Sequence, residues 1–299
     1  MNNIKSTFSI KDLENLSGIK AHTIRIWEKR YELLEPMRTD TNIRLYDIKN
    51  LQKLLNVVLL TNFGYKISKI SKLSQEEIEN SVLKIQTDKT INSHVLSNFK
   101  MAMLNFDQPL FIKTYNSLVT EKSFSKIFCE TFIPFLEEIG ILWSINTITP
   151  AHEHFISHLI KHKILIEIEK YQLQQKKVSD KTYVLYLPFN EIHDLGLLFL
   201  HHEIITNGHQ SIYLGRSLPI ENLIDLNNHF KKITFITYLT VEPSEDDIEN
   251  YINDFNNTIL KDNDNELLIF GRKTAAINSQ KLPPKIKSIE NMQDFIATL

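Results

Sequence analysis

The last part of the chain alternates short apolar runs with amphipathic segments. Residues 182–187 are almost continuously apolar, as is usual for a buried parallel strand. Similar runs follow at 210–214, 233–238 and 267–270, with a weaker one at 286–289. The amphipathic segments lie at 194–207, 219–231, 244–259, 273–280 and 291–299. This alternation predicts a flavodoxin-like, doubly wound parallel sheet over residues 180–299, whose ligands bind beyond the carboxyl ends of the strands.

The stretch from 91 to 176 has helical periodicity and almost no glycine. Apolar and aromatic side chains recur there three or four residues apart, which predicts a four-helix bundle. The repeated sets are Phe99/Met103/Phe106, Phe111/Tyr115/Leu118, Phe128/Phe132/Phe135 and Ile156/Leu159/Ile160. Residues 76–90, which precede the bundle, are polar with scattered aliphatic side chains and predict a linker with some helical character.

Residues 1–75 combine short helical patterns with polar turns. Ser9 is a suitable cap for a helix running from Ile10 to Leu16, and Ser17-Gly18 predicts the turn into a second helix over about 21–31. Two short helices about a glycine turn predict a helix-turn-helix, whose second helix enters the major groove of DNA. The next stretch, residues 36–46, predicts a small β-wing that presents Arg38 and Arg44 to phosphates.

The second helix of this head has two faces. We expect Ile24, Ile26 and Trp27 to point into the interior. The polar face, together with the wing, supplies the candidate DNA-contacting residues. These are His22, Thr23, Arg25, Lys29, Arg30, Arg38, Arg44 and Tyr46.

The head also differs from the rest of the chain in charge. Residues 1–75 carry 13 Lys and Arg against 7 Asp and Glu, whereas the other residues carry 21 against 29. A basic head on an acidic body favours nucleic acid as a partner for the head alone.

Composition argues against several other classes of protein. A hydrophobic fraction of 42% with 23% charged residues is ordinary for a globular protein. No apolar run reaches the roughly 18–20 residues of a membrane span, and the first residues do not resemble a signal peptide. The single cysteine, Cys129, cannot form an internal disulfide. We therefore expect a cytoplasmic protein with no membrane partner.

The second helix and wing carry a specific resemblance. The run Thr23-Ile24-Arg25-Ile26-Trp27-Glu28-Lys29-Arg30-Tyr31, followed by Leu33-Leu34, Pro36, Arg38 and Arg44-Leu45-Tyr46, resembles the MerR family over about 70 residues. The resemblance implies a transcriptional regulator that binds paired half-sites of double-stranded DNA and hence acts at least as a dimer. Where the family's wing usually turns on Gly, this chain has Asn42, which also tolerates the left-handed conformation.

A second resemblance lies in the loop after the first predicted strand of the sheet. Glu191, His193 and Gly196 have the spacing of the Asp/Glu-x-His-x-x-Gly signature of base-off cobalamin-binding domains. The resemblance implies that His193 is the lower axial ligand of the cobalt in place of the cofactor's own base. Glu191 would orient the imidazole and raise its basicity. Gly196 would allow helix packing or close approach of the ligand.

Two further parts of that signature follow. Thr237-Tyr238-Leu239 resembles its Ser-x-Leu and keeps a hydroxyl for the nucleotide tail. Gly271-Arg272 stands where the signature has Gly-Gly. Arg272 is a departure, since it would either crowd the tail or bind its phosphate.

The predicted bundle adds a third resemblance. Trp143 precedes Glu153-His154 by a gap of nine residues, as in the Trp-x9-Glu-His motif of the CarH/LitR photoreceptor regulators. In that family the bundle caps the upper face of adenosylcobalamin. The resemblance implies that Trp143 shields the adenosyl group, with Glu153 and His154 in the same site. Light-responsive members have His directly after the Trp, whereas this chain has Ser144, so another donor such as His152 or His154 would be needed.

The order of head, bundle and cobalamin fold is also that of the CarH/LitR family. It implies a repressor or activator, with repression favoured, that forms a dimer or tetramer and is controlled by adenosylcobalamin. Light would break the cobalt–carbon bond and change the oligomer. One alternative is a regulator of the same fold that responds to a partner protein or another ligand. The other is an enzyme's cobalamin carrier for methyl transfer or a mutase, to which a DNA-reading head is foreign. We expect no enzymatic activity.

Overall fold

The computed structural model describes residues 7–84, 88–172 and 181–299. The chain forms two compact units, Met1–Leu159 and Ile160–Leu299. No helix in the described ranges is long and apolar enough to cross a membrane.

The first unit begins with the helix-turn-helix and its wing. Ser9 and Asp12 cap the first helix reciprocally, and Gly18 ends it in the left-handed conformation at φ 74°. The three short strands form an antiparallel sheet of order β1-β3-β2. The two helices predicted for the head are both present, so that prediction is confirmed. The elements are β1 (Thr7–Phe8), α1 (Ile10–Ser17), α2 (Ala21–Tyr31), β2 (Met37–Arg38) and β3 (Arg44–Asp47).

Three helices follow the wing: α3 (Ile48–Asn62), α4 (Ile67–Ile70) and α5 (Gln75–Lys84). Asp47 caps α3, and α5 packs against α3. Ile78 and Val82 are buried. The expected linker at 76–90 is thus a packed helix up to Lys84, because its scattered aliphatic residues supply an apolar face. Residues 85–87 of that expected linker lie outside the described residues.

The helical bundle follows as predicted. Its first two helices are α6 (Asp88–Asn105) and α7 (Gln108–Val119). A third runs from α8 (Phe124–Ile127) through a π-helical turn at Phe128–Phe132 into α9 (Ile133–Ser144), and the fourth is α10 (Pro150–Gln172). The π turn precedes Pro134, which has no backbone N–H for an α-helical hydrogen bond.

The aromatic stripes of the bundle form its core. The ring of Phe99 lies 5.1 Å from that of Phe111, 5.6 Å from Phe132 and 5.8 Å from Phe135. All four side chains are fully buried. The prediction that these stripes are core is confirmed, although Phe106 is only half-buried.

The head and the bundle belong to the same unit. α3 packs against α6, and the ammonium of Lys100 lies 2.5 Å from Glu138 and 3.4 Å from the Leu16 carbonyl of α1. The Asn15 amide donates to the Thr147 hydroxyl over 2.9 Å. The first helix of the head is therefore fixed to the bundle at two points.

The second unit is a parallel five-stranded sheet with helices on both faces, of order β5-β4-β6-β7-β8. In chain order this is 2-1-3-4-5, so the flavodoxin-like prediction is confirmed. The weak fifth strand is present. The elements are β4 (Thr182–Pro188), α11 (Leu195–Thr206), β5 (Gln210–Leu218), α12 (Leu226–His229), β6 (Ile233–Tyr238), α13 (Ile248–Thr258), β7 (Glu266–Phe270), β8 (Ile286–Ser288) and α14 (Met292–Ile296).

The helix after the first strand is buried on all sides. Every residue of α11 from Leu197 to Ile205 is buried, including His201, His202 and Glu203. One side packs on the sheet, and the ring of Tyr171 on α10 lies 5.9 Å from His202. This double cover explains why the helix is apolar without a polar stripe.

Two predicted helices are shorter than expected. The segment 219–231 is a 3-10 turn at Ile220–Leu223 followed by α12. The segment 273–280 consists only of 3-10 turns, at Arg272–Ala276 and Ser279–Lys281. Gly271 before the latter segment and the two prolines soon after it leave too little chain for a regular α-helix.

Candidate functional site

The second helix of the head presents a polar surface. His22, Arg25, Lys29 and Arg30 are exposed, and Thr23 is half-buried. Ile24 is buried and Trp27 is partly buried, as predicted. Ile26 is 43% exposed, against the expectation that it is interior. Ile26 follows Ile24 by two residues, which is a rotation of about 200° around the helix, so Ile26 faces away from the core.

The wing turns on Asn42, which has a left-handed φ of 63°. The exposed Arg38 donates from Nη1 to the Asn42 side-chain oxygen over 2.6 Å. The asparagine therefore serves the turn and also orients a cation beside it.

A partly buried carboxylate, Glu28, ties the wing to the second helix. Glu28 accepts hydrogen bonds from Arg44 Nε at 2.9 Å and from the Tyr46 hydroxyl at 2.8 Å. Burial, and then the hydrogen bond to Glu28, raises the pKa of Tyr46 well above its ordinary value. Tyr46 is fully buried, so the expected DNA contact is corrected: this side chain lies in the interior and positions Glu28. Arg44 is about one-third exposed.

In the second unit, Glu191 and His193 form a close pair in the loop after β4. Glu191 is fully buried, and its Oε1 lies 2.6 Å from His193 Nδ1. The same oxygen accepts from the backbone N–H of His193 at 3.0 Å and of Ile192 at 2.8 Å. The His193 side chain is 46% exposed. The structure therefore brings the two residues together as the sequence predicted, with the imidazole oriented through Nδ1.

The second oxygen of Glu191 binds the loop that follows β6. It accepts hydrogen bonds at 3.1, 2.6 and 2.9 Å from three successive backbone N–H groups, those of Thr240, Val241 and Glu242. Lys273 secures this loop from the other side by donating from Nζ to the carbonyls of Val241 and Pro243. One carboxylate thus joins the loops after two neighbouring strands.

These contacts set the protonation state of Glu191. Burial acts to raise the pKa of this carboxyl. Hydrogen bonds from the His193 side chain and from the backbone of Val241, His193 and Glu242 outweigh burial and hold the pKa well below its ordinary value. Glu191 is therefore a carboxylate at neutral pH and can orient the imidazole.

The residue after His193 anchors the same loop. Asp194 is nearly buried, and its Oδ2 lies 2.5 Å from Lys161 Nζ and 2.8 Å from Arg216 Nε. The Tyr213 hydroxyl donates to it over 3.1 Å. These groups come from α10, β5 and the loop and share no local spacing, so no sequence pattern predicts that they meet.

Apolar side chains are exposed around His193. Phe189 is 61% exposed, Ile192 55% and Val241 51%. All three lie in the loops that follow β4 and β6, at the carboxyl end of the sheet. Exposed apolar groups around a polar centre are typical of a surface that binds a large ligand.

Gly196 and Gly271, the two glycines that resemble the cobalamin signature, lie against other residues of the protein. A β-carbon at Gly196 would lie 2.5 Å from the ring of Tyr238, and one at Gly271 would lie 2.4 Å from the backbone oxygen of Leu239. Leu239 is fully buried, and Arg272 is exposed. The two roles expected for Arg272, crowding the nucleotide tail or binding its phosphate, stay predictions.

The hydroxyl of Thr237 is buried on the sheet face that carries Tyr186 and Tyr251. The hydroxyls of those two tyrosines lie 2.5 Å apart. Burial raises the pKa of Tyr251 well above its ordinary value, and the smaller effects of the Tyr186 and Thr237 hydroxyls lower it. Tyr238 is the next residue and points to the opposite face, that of α11.

In the first unit, Trp143 is 54% exposed near the end of α9, so it is not a core residue. The neighbouring Ser144 donates to the Ile141 carbonyl over 2.8 Å. On α10, Glu153 accepts from the Ser157 hydroxyl at 2.8 Å and lies 3.3 Å from Nε2 of the exposed His154.

His152 differs from its histidine neighbours. It is 1% exposed, stacks on Phe106 with ring centroids 4.9 Å apart, and accepts from the Thr149 backbone over 3.1 Å at Nδ1. The expectation that His152 could replace a histidine at position 144 is therefore corrected, because its ring is held in the core. His154 retains that possibility.

Two family models match the chain. Residues 8–77 match the model described as MerR HTH family regulatory protein. Residues 95–166 match the model described as B12 binding domain. The first match covers the head, and the second covers the helices that carry Trp143, Glu153 and His154.

Similar proteins are known for most of the chain's length. The HTH-type transcriptional repressor CarH of Myxococcus xanthus is 26% identical over 251 residues, which cover 80% of this chain and 82% of that protein. The HTH-type transcriptional repressor CarA of the same organism is 21% identical over 224 residues, covering 71% and 69%. The monomethylamine corrinoid protein of Methanosarcina barkeri has a similar fold, with a TM-score of 0.56 and 14% identity over 69% of this chain and 97% of that one.

Proposed function

We propose that this chain, a MerR-type helix-turn-helix regulator with a B12-binding domain, is a repressor controlled by adenosylcobalamin and by light. The regulator class follows from the family models and from the similar repressors. The observation that carries the cobalamin part is the Glu191–His193 pair, with its oriented imidazole at the carboxyl end of a parallel sheet.

The pair fits the lower axial ligation of cobalt. A histidine that binds a metal usually hydrogen-bonds a carboxylate through its other ring nitrogen, which fixes the tautomer and raises the basicity of the ligand. Nδ1 of His193 is bonded to Glu191 in this way, so Nε2 is the nitrogen that we assign to cobalt. Glu191 is itself held by five backbone N–H groups, which prevents the imidazole from turning with its partner.

The residues around His193 favour a metal ion that is already bound in a large apolar macrocycle. In the described part of the chain, no three histidine, cysteine or acidic side chains converge to hold a metal ion by themselves. Around His193 lie the exposed Phe189, Ile192 and Val241 instead. A corrin would supply its own nitrogen ligands and a broad apolar surface, and His193 would supply the protein's ligand to the cobalt.

The light-dependent part rests on the first unit. Adenosylcobalamin, when bound, supplies a light-sensitive cobalt–carbon bond. We assign Trp143 to shielding the adenosyl group, since an exposed indole is a large apolar surface that a ligand can cover. Glu153 and the adjacent His154 supply polar groups for the same ligand. Ser144 offers only a neutral hydroxyl in place of a second imidazole.

The DNA-binding part rests on the head. Its second helix exposes Arg25, Lys29 and Arg30, and the wing exposes Arg38. The basic balance of residues 1–75 supplies attraction to phosphates, so binding to promoter DNA should weaken steeply with salt. A homo-oligomer of at least two copies would present paired heads to paired half-sites.

The direct test is binding of cobalamin by the purified chain in the dark. We expect protein incubated with adenosylcobalamin to retain the cofactor through gel filtration, with an absorbance spectrum that shows histidine ligation. His193→Ala should lose that spectrum, and Glu191→Gln should weaken binding by about 10–100-fold. His158→Ala, at an exposed histidine of α10, is the matched control and should bind like the wild type.

Operator binding completes the test. Gel shifts of the loaded protein in the dark and after illumination should show a change in DNA affinity that His193→Ala abolishes. Unchanged cobalamin binding in folded His193→Ala would remove the axial role. DNA binding that survives deletion of residues 1–75 would remove the role of the head.

A second candidate is a regulator of the same fold that responds to a partner protein or another ligand. The contact of Tyr238 with Gly196 favours it, because this contact is the packing that we expected as the alternative to close approach of a ligand. This candidate predicts that no corrinoid is retained, while DNA binding by the head persists.

A further inference from the structure

The ring of Tyr238 fills the gap left by the missing side chain of Gly196. A β-carbon at position 196 would lie 2.5 Å from ring atoms Cε2 and Cζ and 3.0 Å from the hydroxyl oxygen of Tyr238. Gly196 lies three residues after His193, in the first turn of α11. Tyr238 ends β6, the strand next to β4 in the sheet. The ring therefore sits between α11 and the carboxyl end of the sheet, close to the proposed cobalt ligand along the chain.

The chemistry of the proposed ligand requires space in this region. This argument rests on the proposed function. If His193 supplies the lower ligand, the cofactor's own base is displaced but remains tethered to the corrin by its nucleotide tail. The cobalamin signature that Glu191, His193 and Gly196 resemble also provides residues for this tail, so a bound tail would lie beside the loop that carries His193.

The spaces at Gly196 and Gly271 differ in whether the atoms that close them can move. The space at Gly271 is closed by the backbone of Leu239, whose N–H donates to the Phe270 carbonyl over 2.8 Å and whose carbonyl accepts from Lys273 over 3.1 Å. Backbone held in this way cannot move without breaking the end of β6. The space at Gly196 is closed by a side chain, and Tyr238 is only partly buried. Displacing this ring would break no backbone hydrogen bond, but it would remove the ring from the core cluster against which it packs.

We propose that Tyr238 occupies the slot for the nucleotide tail, so that any corrinoid with a tail, adenosylcobalamin included, binds only after it displaces the ring. The chain then binds cobinamide, which has no tail, more tightly than hydroxocobalamin. Hydroxocobalamin binds only in those molecules in which the ring has left Gly196, and its apparent affinity falls by that fraction.

The test measures equilibrium binding of both corrinoids by absorbance, for the full-length wild type and for Tyr238→Ala, Tyr238→Leu and Tyr238→Phe. Removing the ring should tighten hydroxocobalamin binding by about tenfold or more, since the displaced aromatic surface no longer has to leave its packed position. Binding of cobinamide should change by less than about twofold. Tyr238→Phe keeps the ring and should behave as the wild type, which makes it the matched control. Circular dichroism establishes that each variant is folded, and the leucine variant serves if alanine destabilises β6.

The outcomes separate this inference from the proposed function. If both corrinoids bind and the alanine and leucine variants leave the ratio of their affinities unchanged, Tyr238 does not guard the slot, and the proposed function stands. Wild type that binds hydroxocobalamin at least as tightly as cobinamide also overturns the inference. If neither corrinoid binds to the wild type or to any variant, the proposed function fails, and this inference fails with it.

Discussion

At the scale of single residues, Glu191 shows how a carboxylate becomes part of the backbone framework. Its two oxygens accept five backbone N–H groups from the loops after β4 and β6, in addition to the His193 side chain. The short motif in the sequence contains only the contact with His193. The three donors at residues 240–242 are 49 to 51 positions away and become neighbours because the two strands are adjacent in the sheet.

His201 gives a prediction for the dependence of stability on pH. It is 7% exposed on α11, and burial, followed by the nearby charge of His202, lowers its pKa to about 4. The unfolded chain has an ordinary histidine with a pKa of about 6.5, so it binds a proton more readily than the folded chain between these values. The free energy of unfolding should therefore fall as the pH decreases from about 6.5 to 4.

The measurement is urea unfolding at a series of pH values for the wild type and His201→Gln. The variant should lose less stability over this interval, by roughly 3 kcal/mol, because glutamine does not titrate. His158→Gln, at an exposed site, should follow the wild-type curve. Parallel curves for the wild type and His201→Gln would contradict a buried neutral imidazole at position 201.

At the scale of elements, Glu28 connects the second helix of the head to the wing. Arg44 and Tyr46 on β3 both donate to this one carboxylate on α2. The wing and the second helix therefore hold a fixed relative position. A helix and a wing that contact the same DNA need such a fixed position. If they were mobile, ordering them on binding would cost free energy and weaken the affinity for DNA.

Tyr46→Phe tests whether Tyr46 positions the wing or contacts DNA. The variant keeps the ring in the core and removes only the hydrogen bond to a charged acceptor, which should cost the head about 1.5–3 kcal/mol of stability and weaken DNA binding. The slope of log affinity against log salt should stay unchanged, since no phosphate contact is lost. Arg38→Ala, at the exposed wing, should instead reduce that slope by about one. Weaker DNA binding by Tyr46→Phe with unchanged stability of the head would instead restore a direct contact for Tyr46.

At the scale of the whole molecule, the head and the loop that carries His193 belong to different units. The head and most of the helical bundle lie in Met1–Leu159, and the sheet with Glu191 and His193 lies in Ile160–Leu299. Within the first unit, the turn between α9 and α10 bonds to α1 of the head through Thr147 and Asn15. Trp143 and Glu153 lie on either side of that turn. A ligand that contacts these two residues would act on a segment already bonded to the head.

The proposed response to light predicts a change of oligomer. Size-exclusion chromatography with adenosylcobalamin should show a dark oligomer that dissociates on illumination, because a ligand that stabilises one state shifts the population when it is lost. Ser144 cannot supply a strong ligand to the illuminated state, so fresh adenosylcobalamin should restore the oligomer. Ser144→His should restore it less readily. Identical elution in the dark and the light, with the cofactor shown to be bound, would remove light as the signal.

The sequence by itself determined the features that depend on local spacing. Apolar periodicity predicted the parallel sheet and the bundle, since these patterns are fixed by the geometry of strands and helices. The motif from Thr23 to Tyr46 identified the head, and the spacing of Glu191 and His193 identified a pair that the fold does bring together. Each of these inferences needed only residues that are close in the chain.

The tertiary structure alone decided which side chains meet across elements. It placed Tyr46 and His152 in the interior, made the expected linker a packed helix, and fixed α1 to the bundle through Lys100. It also placed Tyr238 against Gly196. In each case the partners lie on different elements, and their burial depends on how those elements pack. Spacing along the chain does not determine that packing.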